Sequence, residues 1–168
     1  MRYILRRREI VADDWHHLGE ESVAEGCPLI IPLAQLRKEA LRWGQWPGAV
    51  GVRLAPQDAP EDLTAELPGL DLVAVEFPNS GDGRGYSTAR LLRETYGYVG
   101  ELRAVGAGVR QDQVFLMSRC GFDSLELAPG EDLAAARHAL QRYDVAYQPG
   151  SPATATLVSI RAQRFFAA

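Results

Sequence analysis

An α/β fold with a mainly parallel β-sheet and flanking helices is predicted by two features of the sequence. Short apolar runs that fit strands alternate with helical stretches about four times along the chain. Strands separated by helices imply right-handed crossovers, which place successive strands parallel. An open sheet with helices on both faces is the economical arrangement. A truncated barrel-like arc is the alternative, because a full eight-unit barrel needs about 250 residues and this chain has 168.

The elements follow in order. Tyr3 to Leu5 and Glu9 to Val11 fit two short strands around a basic turn. Pro28 to Leu33 fits a compact apolar strand, after which Leu33, Leu36, Ala40, Leu41 and Trp43 recur at helical spacing. Gly44 stops that helix and Pro47-Gly48 turns the chain. Ala49 to Leu54 is the next strand. A short helix from Pro60 has proline at its first position and Glu61 and Asp62 in its first turn. Leu70 to Phe77 is the strongest strand. A helix over Ser87 to Tyr96, a strand over Glu101 to Gly106, a helix over Arg110 to Arg119 and a short strand over Ser124 to Leu127 follow. Leu133, Ala136, Leu140 and Tyr143 mark a last amphipathic helix. No interdomain linker or fixed-period repeat interrupts this series, so residues 1–168 are expected to form a single α/β domain.

Composition narrows the function classes. Hydrophobic residues make up 46% and charged residues 24%, which are ordinary globular values. A net charge of -4 argues against nucleic-acid binding through bulk positive charge. No long uncharged apolar run suggests a membrane span. The arginine-bearing segment from Met1 to Glu9 lacks the apolar stretch of a secretory signal. Cys27 and Cys120 form neither a disulfide framework nor a metal-ligand spacing. A cytoplasmic setting is the expectation.

The chemistry-bearing segment is the turn after the strongest strand, since ligands of parallel α/β proteins sit beyond the carboxyl ends of strands. It runs through Asp82, Gly83, Arg84, Gly85, Tyr86 and Ser87. Its glycines allow close backbone approach, and Ser87 is a candidate helix cap. Arg84, Arg90 and Arg93 lie where cations disfavour a helix start, so a bound anion, Asp82 or Glu94 should offset them. The turn Gly106-Ala107-Gly108, followed by Arg110, has the same character. The two turns could form one anion-binding crevice if their strands are adjacent. Tight turns with solvated arginines are the alternative. Neither turn completes a dinucleotide-binding glycine pattern, and no P-loop is present.

Cys120, beside Arg119 and ahead of Gly121, is either a redox group or a small buried thiol. His16, His17 and His138 fit no zinc spacing and are expected at the surface. Glu76, near the end of the strongest strand, could serve as a site carboxylate or pair with Arg84 or Arg103. No motif calls for a flavin, haem or iron–sulfur cluster, which leaves the cofactor unknown.

The block from Phe77-Pro78 through Asp82-Gly83-Arg84-Gly85-Tyr86-Ser87, Ala89-Arg90-Leu91-Leu92-Arg93, Tyr96-Gly97-Tyr98, Gly100-Glu101-Leu102-Arg103-Ala104 and Arg119-Cys120-Gly121-Phe122-Asp123 resembles an uncharacterised bacterial family described as oxidoreductases associated with sulfite reduction. Asp13-Asp14-Trp15 and the strand near Ile30 to Leu33 extend the resemblance. Members are typically encoded beside sirohaem sulfite reductase. The resemblance therefore implies a role in assimilatory sulfite or sulfate reduction, and it carries no catalytic residues. One departure is the lack of an acidic residue at Gly106-Ala107-Gly108.

Three readings follow. The first is an accessory protein that binds the reductase. The second is a small enzyme or carrier holding an anionic sulfur or phosphate compound in the crevice. The third is a homodimer ordered by the glycine–arginine cluster. The candidate contact residues are Asp82, Gly83, Arg84, Gly85, Tyr86, Ser87, Arg90, Arg93, Arg110, Arg119 and Cys120, with Tyr96 and Tyr98 added for a protein partner.

Overall fold

Arg7 and Arg8 connect two strands by the shortest hairpin loop, and both adopt positive φ, 49° and 70°. This conformation matches the twist of a two-residue hairpin, so β1 (Arg2–Arg6) and β2 (Glu9–Asp13) pair antiparallel with Arg6 opposite Glu9. The computed structural model describes residues 2–20, 23–142 and 150. After the hairpin come β3 (His16–His17), β4 (Leu29–Pro32), α1 (Leu33–Lys38), α2 (Ala40–Gly44) and β5 (Val50–Leu54). Two 3₁₀ turns, Pro60–Leu63 and Leu67–Gly69, lead into β6 (Leu72–Glu76). Next are α3 (Arg84–Arg90), β7 (Glu101–Val105), α4 (Val114–Arg119), β8 (Ser124–Leu125) and α5 (Leu133–Gln141). The helix position expected at Tyr143, and Pro149 and Pro152 of the tail, lie outside the described residues.

The strands form one sheet in the order β2-β1-β8-β7-β6-β5-β4-β3. Pairing is parallel from β3 through β8, whereas β1 is antiparallel to both β2 and β8. The sheet is mostly parallel, as predicted, with an antiparallel hairpin added at one edge. It is curled into an open half-barrel. The chain itself requires the curl. Edge strands β2 and β3 are separated in sequence only by Asp14 and Trp15. Three Cα steps span at most about 11 Å, so the two edges approach each other there.

Alternation along the strands assigns the two faces. Val52, Val73, Val75, Leu102, Ala104 and Leu125 point outward into the main core, joined by Leu33, Trp43, Leu63, Ala89, Leu92, Met117 and Ala136 from the helices and turns. The inward face carries a small apolar layer of Ile30, Leu72, Ala74 and Val105, packed by Trp15 and without a helical residue. The described helices therefore cover the convex face alone. The expectation of helices on both faces is corrected in favour of the barrel-like arc.

Local details follow the side chains. The helix expected over Leu33 to Trp43 is broken at Glu39, whose φ of -132° is not helical. Asp132 caps α5 by accepting from the Ala134 and Ala135 N–H groups at 2.8 and 3.2 Å. Beyond α3 the helix widens to a π turn over Leu91–Thr95.

Candidate functional site

Charged residues occupy the inward face of the curled sheet above its apolar layer. Arg103 on β7 is fully buried and is held on two sides. Its Nη1 contacts both oxygens of Asp13 at 2.9 and 3.0 Å, and its Nη2 contacts Glu101 at 2.8 Å. Ser124 donates to Glu101 at 2.6 Å. Arg2 reaches Asp13 at 2.8 Å, Glu20 at 2.8 Å and Glu126 at 3.3 Å. His17 Nε2 lies 2.9 Å from Glu126. These contacts tie the hairpin and β3 to β7 and to the residue that follows β8, across the interior rather than through the sheet.

The network sets the ionisation of its carboxylates. Burial pushes Glu101 up, but the Ser124 hydrogen bond and the Arg103 and Arg6 guanidinium groups outweigh it and hold the carboxyl below its ordinary value. Burial likewise pushes Glu126 up, and His17, Arg2 and Arg103 together bring it below its ordinary value. An ionised carboxylate only accepts hydrogen bonds, so His17 Nε2 is the donor. Its Nδ1 is buried without a partner among the described residues. His17 is therefore an interior residue, with 14% of its side chain exposed, and not the surface histidine expected. His138 is exposed, as expected.

A depressed folded-state pKa stabilises the fold above the unfolded value and loses that contribution as pH falls through the folded value. For Glu101 and Glu126 the unfolded reference is 4.5. Unfolding free energy should therefore decline on acidification below that pH. Urea titrations across the acid range should show a shallower decline in Glu101→Gln. An unchanged slope would exclude Glu101 as a contributor.

The sequence-predicted candidates divide among three places. Asp82, Gly83 and Arg84 are at the turn after β6, where Asp82 accepts from the Arg84 backbone at 3.2 Å and pairs with its guanidinium at 2.6 Å. These contacts hold Asp82 below its ordinary value, the side-chain bond contributing most. Asp82 thus serves the helix start expected of Ser87. Helix α3 begins at Arg84, and Ser87 lies inside it. Arg90 pairs with Glu94 at 3.1 Å, and Arg110 pairs with Glu131 at 3.3 Å. Asp82 and Glu94 are the two carboxylates expected to offset the arginines.

Strands β6 and β7 are adjacent, so the two glycine-rich turns meet. They are packed against each other. Gly106 has φ of 107°, and a Cβ there would lie 2.5 Å from the Phe77 carbonyl oxygen. A Cβ on Gly85 would lie 2.5 Å from the Phe77 ring. The Gly108 N–H donates to the Phe77 carbonyl at 2.8 Å, and the Gly81 N–H donates to Asn79 Oδ1 at 3.0 Å. Tyr86 donates to Gln113 at 3.0 Å, and Gln113 donates to the Ser80 carbonyl at 2.9 Å. The glycines thus serve close packing between loops.

Behind these turns, Cys120 is buried in the main core. Burial pushes its thiol up despite the nearby Arg90 and Arg119 guanidinium groups. Half-buried Arg119 lies beside it in sequence. Arg93 occupies the third place, away from the glycine turns. It donates to the carbonyls of Gly121, Tyr98 and Gly100 at 3.0, 2.6 and 2.9 Å, and it pairs with Asp123. It clamps the loops around β7. Glu76 is corrected too: its ion-pair partner is Arg53, at 3.5 Å, rather than Arg84 or Arg103.

A family model for bacterial proteins of unknown function, DUF934, matches residues 51–158. The chain belongs to this family. No match was found among curated proteins. The match covers β5 to α5, including both glycine-rich turns, Arg103 and Cys120. The hairpin that supplies Arg2 and Asp13 to the interior of this DUF934 chain lies before the matched segment. No cluster of three or more His, Cys, Asp or Glu side chains suited to a metal ion occurs among the described residues. No described helix is long and apolar enough to cross a membrane.

The interior network was missed in the sequence because its members are far apart and share no motif. One signal was present. Arg53, Glu76, Glu101, Arg103 and Glu126 fall in or directly after successive strands, at positions that share one face by register.

Proposed function

We propose that the chain is an accessory protein of assimilatory sulfite reduction that docks a reductase through the face bearing Arg84 and Arg90. The reductase implied by the resemblance is sirohaem sulfite reductase. The supporting observation is the exposure of these side chains, 63% for Arg84 and 59% for Arg90. Among the described residues both are held by near neighbours in sequence, Asp82 and Glu94. The Arg90–Glu94 pair is exposed on both sides, and exposed ion pairs add little stability, so an acidic group of a partner can replace Glu94 at small cost. Arginine is also enriched among residues that dominate protein interfaces. The sulfite context rests on the resemblance of the Phe77 to Asp123 block.

The second reading, a small sulfur or phosphate anion held in the crevice, draws support from Arg90 and Arg119 near Cys120. The loop packing favours the first reading, because the Gly81, Arg84 and Gly108 N–H groups already have internal acceptors.

Calorimetry with purified sulfite reductase tests the proposal. Arg90→Ala should weaken the complex about tenfold and leave the thermal midpoint near that of the parent protein. Undiminished binding would remove Arg90 from the contact. If sulfite or sulfate raises the midpoint and Arg84→Ala abolishes that rise, the anion reading takes its place.

A further inference from the structure

At the opposite end of the strands lies a groove with a different chemistry. It is a cavity of about 630 Å³ between α1–α2 and the segments entering β5 and β6. That size suits a small ligand. Leu36, Trp46 and Leu70 are half-buried in its wall, and Trp43 is buried behind them. The indoles of Trp43 and Trp46 lie 6.3 Å apart. Both indole N–H groups are already used, Trp43 on the Gln35 carbonyl at 3.1 Å and Trp46 on the Cys27 carbonyl at 2.9 Å. The aromatic wall therefore offers the groove apolar surface.

The charged groups in the groove are unbalanced. Among the described residues Glu66 and Asp71 line it, against Arg37. Glu66 Oε1 is 3.9 Å from Arg37 Nη1, beyond hydrogen-bond reach. Glu66 Oε2 is buried with no hydrogen-bond partner among the described residues. Asp71 has no ion pair among them. A partly desolvated carboxylate with one long ion pair and no hydrogen bond on Oε2 is costly, and a cation brought closer to it offsets that cost. An apolar stem on the cation would cover Leu36, Trp46 and Leu70, as lysine and arginine stems cover apolar surface elsewhere.

We propose that this groove binds a small organic cation, an ammonium or guanidinium group on an apolar stem, with Glu66 pairing the charge. Arg37 acts as a built-in competitor, because its guanidinium lies nearest to the same carboxylate. The site is separate from the Arg84–Arg90 face and does not depend on the function proposed for it.

Tryptophan fluorescence of the full chain, titrated with butylguanidinium and butylammonium at fixed ionic strength, tests this. Butanol and butyrate serve as the neutral and anionic controls. The cations should give a saturable change and bind about tenfold more tightly than butanol, the ratio expected of one charge-assisted hydrogen bond. Glu66→Gln should erase that preference, and Arg37→Gln should strengthen cation binding. Circular dichroism establishes that each variant is folded, and Arg37→Gln alone remains decisive if Glu66→Gln does not fold. Equal binding of butanol, no saturable change with either cation, or cation binding unaltered by Arg37→Gln would overturn the proposal.

Discussion

Replacing Asp13 by alanine should destabilise the protein by about 3–5 kcal/mol, the range for removing one partner of a buried ion pair. Asp13 has 1% of its side chain exposed, and Arg103, its partner, has none. Without Asp13, Arg103 keeps Glu101 and Ser124, but the Nη1 side of its guanidinium faces the interior unpaired. Arg2 loses a contact in the same step. For a chain of this length the thermal midpoint should fall by about 10 °C. Urea unfolding monitored by circular dichroism measures the free energy. The double variant Asp13→Leu/Arg103→Met should recover part of the loss, because it removes the unpaired guanidinium while Glu101 keeps Ser124 and Arg6. An Asp13→Ala effect within the small range of surface substitutions would mean that the network does not hold the sheet edges.

Gly106→Ala should cost about 3 kcal/mol, from two sources that act together. Its φ of 107° is a conformation that side-chain-bearing residues adopt under strain. The added methyl would also meet backbone rather than a movable side chain: the Phe77 oxygen at 2.5 Å and its carbonyl carbon at 3.1 Å. Either the turn after β7 or the end of β6 must shift. Because the two turns are joined by the Gly108 N–H bond to the same carbonyl, the loss should also appear as faster amide exchange at Gly108. A midpoint within about 1 °C of the parent protein would show that the turn relaxes freely.

The elements with strong local signals were legible in the sequence. Leu72–Glu76 and Glu101–Val105 fall inside the strands expected, because short segments with apolar residues bounded by turn-forming glycines and prolines can be read without tertiary information. Pro60, with two acids after it, marked a helical turn correctly. Strand β3 was not legible. It has two residues, and its pairing with Leu29 and Ile30 depends on the curl of the whole sheet. The placement of the helices was legible only as an alternative, since helix periodicity does not say which face of a sheet will be covered. In the candidate site, the pairing of Arg84 with Asp82 was readable because both residues belong to one turn. The environments of Arg93 and His17 were not. Arg93 lies on a helical repeat that looks solvated, yet it reaches Gly121 and Asp123. His17 looked like a surface residue until Glu126, far along the chain, came to face it.

The two-residue link between Asp13 and His16 bears on the order in which the molecule can be assembled. During synthesis the hairpin leaves the ribosome well before β8, its neighbour in the sheet, whose Leu125 pairs with Leu5. Until that segment emerges, one edge of the hairpin has no strand to pair with. Interactions of such large sequence separation slow folding, and an unpaired edge invites association between nascent chains. A chain that stops before Ser124 therefore keeps that edge open, so β8 is the strand that joins the hairpin to the parallel part of the barrel-like arc.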